Sequence, residues 1–249
     1  MFNKDRKTMK NNFFWIGGKH SVLAALNNPK KKIKKIITAK PEAYLEKYSK
    51  ITEQKNLKFF NKLFADEAIA HQGIAAQIEN FNYEDVTDTN TKELKNIIIL
   101  DGITDPRNIG SIIRSSVAFN CDGIIVKKKD FNKKSASMYK ASSGAIEKIT
   151  IFTVSNLSNA IRILKKNNFF IIGMDGKAQN KLDEKIIYNK NVFIFGSEGE
   201  GLSHNIKQNC DLLIRLEIGN QIESLNVSNA VSATLALYTY INKTNQAAN

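Results

Sequence analysis

The chain is poor in the residues that build covalent or metal sites. It has two cysteines, Cys121 and Cys210, and no CxxC pair. Its three histidines, His20, His71 and His204, are far apart and form no HExxH arrangement. Neither zinc nor any other metal is expected, and the cysteine usage suits a reducing cytoplasm. No apolar run reaches the length of about eighteen residues that a transmembrane helix needs, so no membrane partner is expected. The apolar part of the basic start, FFWI, is too short for a secretory signal, and no arginine-rich amphipathic helix marks a transit peptide. None of the thirteen glycines falls into GxGxxG or GxxxxGK[ST]. A nucleotide-dependent oxidoreductase or a P-loop enzyme is therefore disfavoured.

What is present fits a globular α/β protein. With 249 residues, 42% of them hydrophobic, the chain can form one large domain, or a large and a small one. The net charge of +13 is unevenly placed. Residues 1–62 hold 16 Lys and Arg against 4 Asp and Glu, and the remainder hold 21 against 20. A general lysine bias would spread the charge. A cationic end suits a polyphosphate partner, because neutralised phosphates release counterions.

Residues 1–82 read as a small α/β unit. GKHSVLAALN is a short helix stopped by Asn28 and Pro29, and KKKIKKIITA is a strand with basic flanks. PEAYLEKYSKITEQKN has apolar residues at helical spacing. LKFF reads as a strand, NKLFADEAIA as a helix, and GIAAQIEN as a strand entered at Gly73. Residues 83–94 lie in a polar stretch poor in apolar groups and read as a linker. In residues 95–249, six apolar runs (NIIILDG, DGIIVKK, ITIFTV, FFIIGMD, VFIFGS and LLIRLEI) alternate with helical patterns. Runs apolar on both faces and joined by helices mean a parallel sheet covered on both sides. Ligands bind such sheets beyond the carboxyl ends of strands, which directs attention to the loops after Leu100, Phe195 and Ile218.

Each loop carries chemistry-bearing residues. After the first run, Asp105 followed by Pro106 is a helix start. Gly110 and Arg114 share a face of that helix, and the glycine is expected to clear space beside a guanidinium that meets phosphate. The fifth run ends in FGSEGEGL, where Gly196, Gly199 and Gly201 let backbone approach a ligand. Glu198 and Glu200 between them suit a cationic or hydroxyl-bearing partner. The sixth run leads through Gly219, Asn220 and Gln221 to a helix expected to start at Ser224 as N-cap, with Asn226 in its first turn. Ser228, Ala230, Ser232, Ala233 and Ala236 keep that helix slim.

NIG followed by Arg114, then FGSEGEGL, then SLNVSNA resemble, in this order and spacing, the three motifs of the SpoU-type RNA ribose 2′-O-methyltransferases of the SPOUT superfamily. The match covers most of residues 96–241. The basic first module resembles the L30e-like substrate-binding domain, and the layout is most similar to bacterial 23S rRNA guanosine 2′-O-methyltransferases. The resemblance implies S-adenosyl-L-methionine as methyl donor, large-subunit ribosomal RNA rather than DNA as partner, a homodimer formed through the C-terminal domain, and a C-terminal trefoil knot. It also implies a division into an L30e-like domain (1–82), a linker (83–94) and a methyltransferase domain (95–249). It makes Asn108, Arg114, Glu198, Ser224 and Asn226 the catalytic set, and Gly196, Leu216 and Leu225 the donor contacts. Glu217, where many members have proline, departs from the pattern. Arginine stays protonated in proteins. Arg114 is therefore expected to bind phosphate and the developing alkoxide, with Glu198 or a water taking the 2′-hydroxyl proton. Two alternatives are a methyltransferase for a guanosine in the D-loop of transfer RNA and a non-catalytic RNA-binding protein of the same fold.

Overall fold

The computed structural model describes residues 12–80, 83–182 and 188–248. The first sheet comprises β1 (Phe13–Gly17), β2 (Ile33–Thr38), β3 (Thr52–Gln54) and β4 (Ile74–Glu79), in the order β1-β4-β2-β3. β4 runs antiparallel to both β1 and β2, and β3 is parallel to β2. Helices α1 (Lys19–Asn27) and α2 (Leu57–Leu63) accompany it.

Three expectations change in this region, and one strand is an addition. FFWIG forms a strand, with Phe14 and Ile16 buried. LKFF is the start of α2 and not a strand, because the Asn56 side chain accepts from the Phe59 amide at 3.0 Å and caps a helix there. The following NKLFADEAIA is helical only as far as Leu63 and then turns, with Ala68 at φ 44°. Residues Ala43–Ile51 form a 3₁₀ helix, broken at Tyr48, and Thr52 already belongs to β3.

Residues 83–94 lie along the second sheet. Tyr83 meets the Phe131 ring edge-on at 5.2 Å, Val86 is buried, and α3 (Asp88–Thr91) starts with a capping box made by Thr87 and Asn90.

The second sheet has seven strands: β5 (Asn96–Asp101), β6 (Gly123–Lys127), β7 (Thr150–Val154), β8 (Phe170–Met174), β9 (Asn180–Lys181), β10 (Asn191–Gly196) and β11 (Leu212–Arg215). Their order is β7-β6-β5-β10-β8-β11-β9, and every pairing is parallel. All six expected runs are strands, and β9 is an addition. α4 (Pro106–Ala118) and α8 (Val227–Ala248) cover one face, with Ile109, Ile112, Ile113, Val231 and Leu235 packed among Ile98, Leu100 and Phe193. On the other face Leu157, Ile161 and Leu164 of α6 (Leu157–Lys166) and Ile206 of α7 (His204–Asn209) pack on Ile97, Ile99 and Ile194. A sheet covered on both sides is built from near-continuous apolar runs. The chain runs outward through β6 and β7 and then re-enters beyond β10 as β8. The crevice at that reversal lies outside the carboxyl ends of the strands.

The two sheets meet across α5 (Ala136–Ser142). The Glu67 carboxylate accepts from Ser135 Oγ at 2.7 Å, Ala136 N at 3.0 Å and Ser137 N at 2.7 Å, capping a helix that belongs to the other half of the chain. Ser21 Oγ donates to the Tyr139 carbonyl at 2.8 Å. Lys31 pairs with Glu147 at 3.3 Å, and both side chains are nearly fully buried, at 7% and 4% exposure. α5 in turn lies against α4 so closely that a Cβ on Gly110 would come within 2.5 Å of the Met138 carbonyl oxygen. Gly110 is therefore small to admit a neighbouring helix. It does not clear room for a ligand beside Arg114.

Candidate active site

Asp105 accepts from the Arg107 amide at 2.8 Å, and Pro106 follows it, so α4 starts where β5 has just ended. This places Asn108 on the first turn, above the carboxyl edge of the sheet. β10 ends at Gly196 beside Asp101 of β5. The next five residues fold back on themselves. Gly201 N donates to the Ser197 carbonyl at 2.9 Å, and a Cβ on Gly196 would lie only 2.0 Å from the Gly201 carbonyl carbon. No other residue fits at 196, and the folded loop presents Glu198.

The third loop corrects the expected helix start. α8 begins at Val227, and Asn226 is its cap. The Asn226 carbonyl accepts from Ala230 N at 2.9 Å, and its side-chain oxygen accepts from Ser228 N at 3.0 Å. Ser224 lies two residues earlier, exposed and in the cleft wall. Sequence reading favoured Ser224 because serine caps well, but asparagine caps equally well.

These loops converge on one oxygen. Glu198 Oε1 accepts from Asn226 Nδ2 at 2.7 Å, from Asn108 Nδ2 at 3.3 Å and from Val227 N at 3.3 Å. Asn226 Nδ2 also donates to Asn108 Oδ1 at 3.1 Å. A carboxylate, two amides and a helix N-terminus thus fix one another. Behind them, Ser115 and Ser232 hydroxyls meet at 2.6 Å where α4 and α8 run side by side, and Tyr238 OH joins Asn191 at 2.8 Å and Asn96 at 3.0 Å. The small residues of α8 serve this close helix contact.

Beside the cluster is a cleft of about 390 Å³, within the range that takes a drug-sized molecule. Gly196, Leu216, Leu225, Glu198 and Ser224 all line it, with Val227 and Ala230 from α8. Asp175 and Lys207, paired at 2.7 Å, stand on its rim. The cleft therefore offers apolar walls, close-approach backbone and carboxylates. That set suits a cation with an apolar body and a planar group.

Arg114 lies elsewhere. It is exposed on the far turn of α4 and lines a separate cavity of about 660 Å³ between α1 and residues 142–148. It makes no hydrogen bond or ion pair among the described residues, and it does not touch the Glu198 cluster.

Asp101 was not singled out from sequence. It is buried at the end of β5, accepts from Ser203 N at 2.9 Å and pairs with Lys127 at 2.7 Å. Burial alone would raise its carboxyl, but the Lys127 ammonium and the Ser203 donors outweigh that and hold it below its ordinary range. It anchors the loop after Gly201 to the strand beneath. A carboxylate closing the apolar run NIIIL was the available signal.

Residues 95–236 match the family described as the SpoU rRNA Methylase family. A relative from Staphylococcus saprophyticus, named for the TrmH family of tRNA/rRNA methyltransferases, is 36% identical over 180 residues, covering 70% of this chain and 72% of its own length. A Synechocystis protein named as a tRNA/rRNA methyltransferase is 35% identical over 173 residues, covering 68% of this chain and 44% of its own. Among solved structures, the SpoU methyltransferase AviRb from Streptomyces viridochromogenes superposes with a TM-score of 0.78 at 16% identity, covering 94% of this chain and 91% of that one. An AdoMet-bound rRNA methyltransferase from Sinorhizobium meliloti gives 0.76 at 20% identity, covering 92% and 87%. At these identities the structural likeness speaks for the fold.

Proposed function

The chain belongs to the SpoU rRNA methylase family, and from that membership we propose that it moves the methyl group of S-adenosyl-L-methionine onto a ribose 2′-hydroxyl of RNA, with a guanosine of 23S ribosomal RNA as the target. The observation that carries this reading is the meeting of three separated loops on Glu198 Oε1 beside a cleft of ligand size. The residues present fit the donor. Gly196 lies in the cleft wall with its backbone toward the donor's place, Leu216 and Leu225 supply apolar walls, and the carboxylates of Glu198 and Glu200 favour a positively charged sulfonium.

When bound, the donor supplies an already activated methyl group, so the chain's own residues need to align the acceptor and handle one proton. Glu198 or a water would take the proton of the acceptor hydroxyl as the methyl group is transferred. Asn108 and Asn226, oriented by the shared carboxylate, hold the sugar. Ser224 adds a hydroxyl at the cleft wall.

A guanidinium is still needed against the phosphate, and Arg114 faces away from its own cluster. We take the active form to be a homodimer in which a second copy brings its arginine to the cleft. The outer face of α8 is exposed and apolar at Leu237 and Tyr240, which supports pairing through the C-terminal part. In this reading residues 1–82 are an L30e-like RNA-selecting module, 83–94 join it to the rest, and 95–249 form a methyltransferase domain with a knotted C-terminal part.

The test is to map 2′-O-methylation on ribosomal and transfer RNA from cells with and without the protein. One large-subunit guanosine should lose its methyl group and regain it in vitro with purified protein and donor. Loss at a transfer-RNA D-loop instead would move the substrate. No change on either RNA, with no donor binding by calorimetry, would refute the reading.

A further inference from the structure

Among the described residues, seven large hydrophobic side chains are exposed. Ile218 and Ile222 lie in the loop that forms the cleft, and Leu237 and Tyr240 lie on the face assigned to pairing. Tyr188 stacks on Phe170 at 3.8 Å. Leu57 and Phe59 remain, at 57% and 41% exposure on α2, far in the fold from that cleft and on the most cationic part of the chain.

Phe59 is a supported ring. It stands edge-on to buried Phe60 at 6.4 Å, and Phe60 is backed by His71, stacked at 5.1 Å and tied to Asn61 at 2.9 Å. The Lys55 ammonium lies 5.8 Å from the Phe59 ring centre. Lys55 also pairs with Glu53, whose other oxygen takes Lys35, so this carboxylate is already engaged by two cations. Lys58 and Lys62, four apart on α2, are exposed and have no ion pair among the described residues. Asp66 is the nearest free carboxylate in sequence, one turn beyond the helix end.

We propose that Phe59 is a stacking platform for an unpaired RNA base, with Lys58 and Lys62 on the flanking phosphates. The inference rests on the RNA methyltransferase reading and adds to it a surface that selects single-stranded substrate. An exposed aromatic ring among lysines matches what unpaired nucleotides require: a π-face for the base and cations along the backbone. A short helix with unpaired lysines argues against a protein core docking there, because desolvating them would be costly.

The test uses the full-length protein and a fluorescein-labelled single-stranded RNA of mixed sequence, read by anisotropy over a salt series. Phe59→Ala should weaken binding by about five-fold or more, and Phe59→Trp should keep it, since stacking tolerates any large ring. Lys58→Gln/Lys62→Gln should lower the salt slope by roughly one to two. Donor binding by calorimetry should stay at the wild-type value in each variant. A Phe59→Ala protein that binds donor and RNA like wild type overturns the proposal, as does equal weakening by Ala and Trp. An unchanged salt slope in the lysine double variant also overturns it. If duplex RNA binds as well as single strands and as sensitively to Phe59, stacking is the wrong account. Should the wild-type protein bind neither donor nor RNA, the methyltransferase reading fails first.

Discussion

One oxygen, Glu198 Oε1, accepts from three nitrogens contributed by α4 and the start of α8. Removing it strands two side-chain amides and a helix-terminal N–H at the edge of the cleft. Glu198→Gln keeps the shape but aims a partial charge, and in one rotamer a donor, at those same donors. Methyl transfer should fall by roughly 10²- to 10³-fold, the usual range for losing an oriented polar group in a transition state. Thermal stability should stay near wild type, because the loop tip is exposed. A Glu198→Gln protein with near-normal single-turnover rates would remove this residue from the chemistry. Asp101 makes a different demand. Its carboxyl is held below the ordinary value of 3.8, so its share of stability is complete above that value and disappears as pH falls through the lowered one. Asp101→Asn should therefore cost about 1–3 kcal/mol at neutral pH and flatten the acid limb of a stability-against-pH curve. An acid limb unchanged by the substitution would show that the Lys127 pair contributes nothing.

At the scale of elements, α8 and its cap do two jobs that can be separated. The Asn226 side-chain oxygen caps the helix and its nitrogen serves Glu198. Asn226→Asp keeps a good capping acceptor but replaces the donor with a charge facing another carboxylate. The helix should persist, while activity should fall about as far as in Glu198→Gln. Asn226→Ala should lose both, with about 0.5–2 kcal/mol of stability for the cap. Circular dichroism melts beside a methylation assay distinguish these outcomes, and equal melting of Asp and Ala variants would contradict the capping role.

The elements that sequence reveals well are those buried on both faces. β5, β6, β7, β8 and β10 each read as a nearly continuous apolar run, because helices cover the sheet on both sides. The first sheet is smaller, and there the signals compete. Leu57-Lys58-Phe59-Phe60 has the composition of a strand, yet one asparagine before it turns it into a helix. The site was legible as three loops in one neighbourhood, with Asn108, Glu198 and Asn226 in direct contact. The surroundings of Arg114 and Gly110 are not legible in the sequence, for one reason. Both were read along a single helix, whereas what each meets is set by elements far away in the chain: α5 for the glycine and the cavity beside α1 for the arginine.

For the whole molecule, the question is whether the cationic sheet is a tethered accessory or part of one body. The seam contains a buried ion pair, Lys31 with Glu147, in which Glu147 also accepts from Asn28 Nδ2 at 2.6 Å. A buried pair contributes little net stability, but breaking it from one side leaves a charge without compensation. Lys31→Met should therefore destabilise the protein by about 3–5 kcal/mol, and Lys31→Met/Glu147→Leu should recover most of that loss. The asymmetry holds only if water cannot reach Glu147 once the lysine is gone. If the sheets hinge apart in solution, the carboxylate is solvated in the open form and the single substitution costs less than about 1 kcal/mol. Chemical denaturation of the two variants thus measures docking directly. A small loss in the single variant would mean that the first sheet, and with it the proposed RNA-selecting surface, is joined to the second by a mobile seam. A large loss, rescued by the double, would mean that the first sheet and α4 move as one through α5, so that the distance from the proposed RNA-selecting surface to the proposed methyl-transfer site is built into the fold.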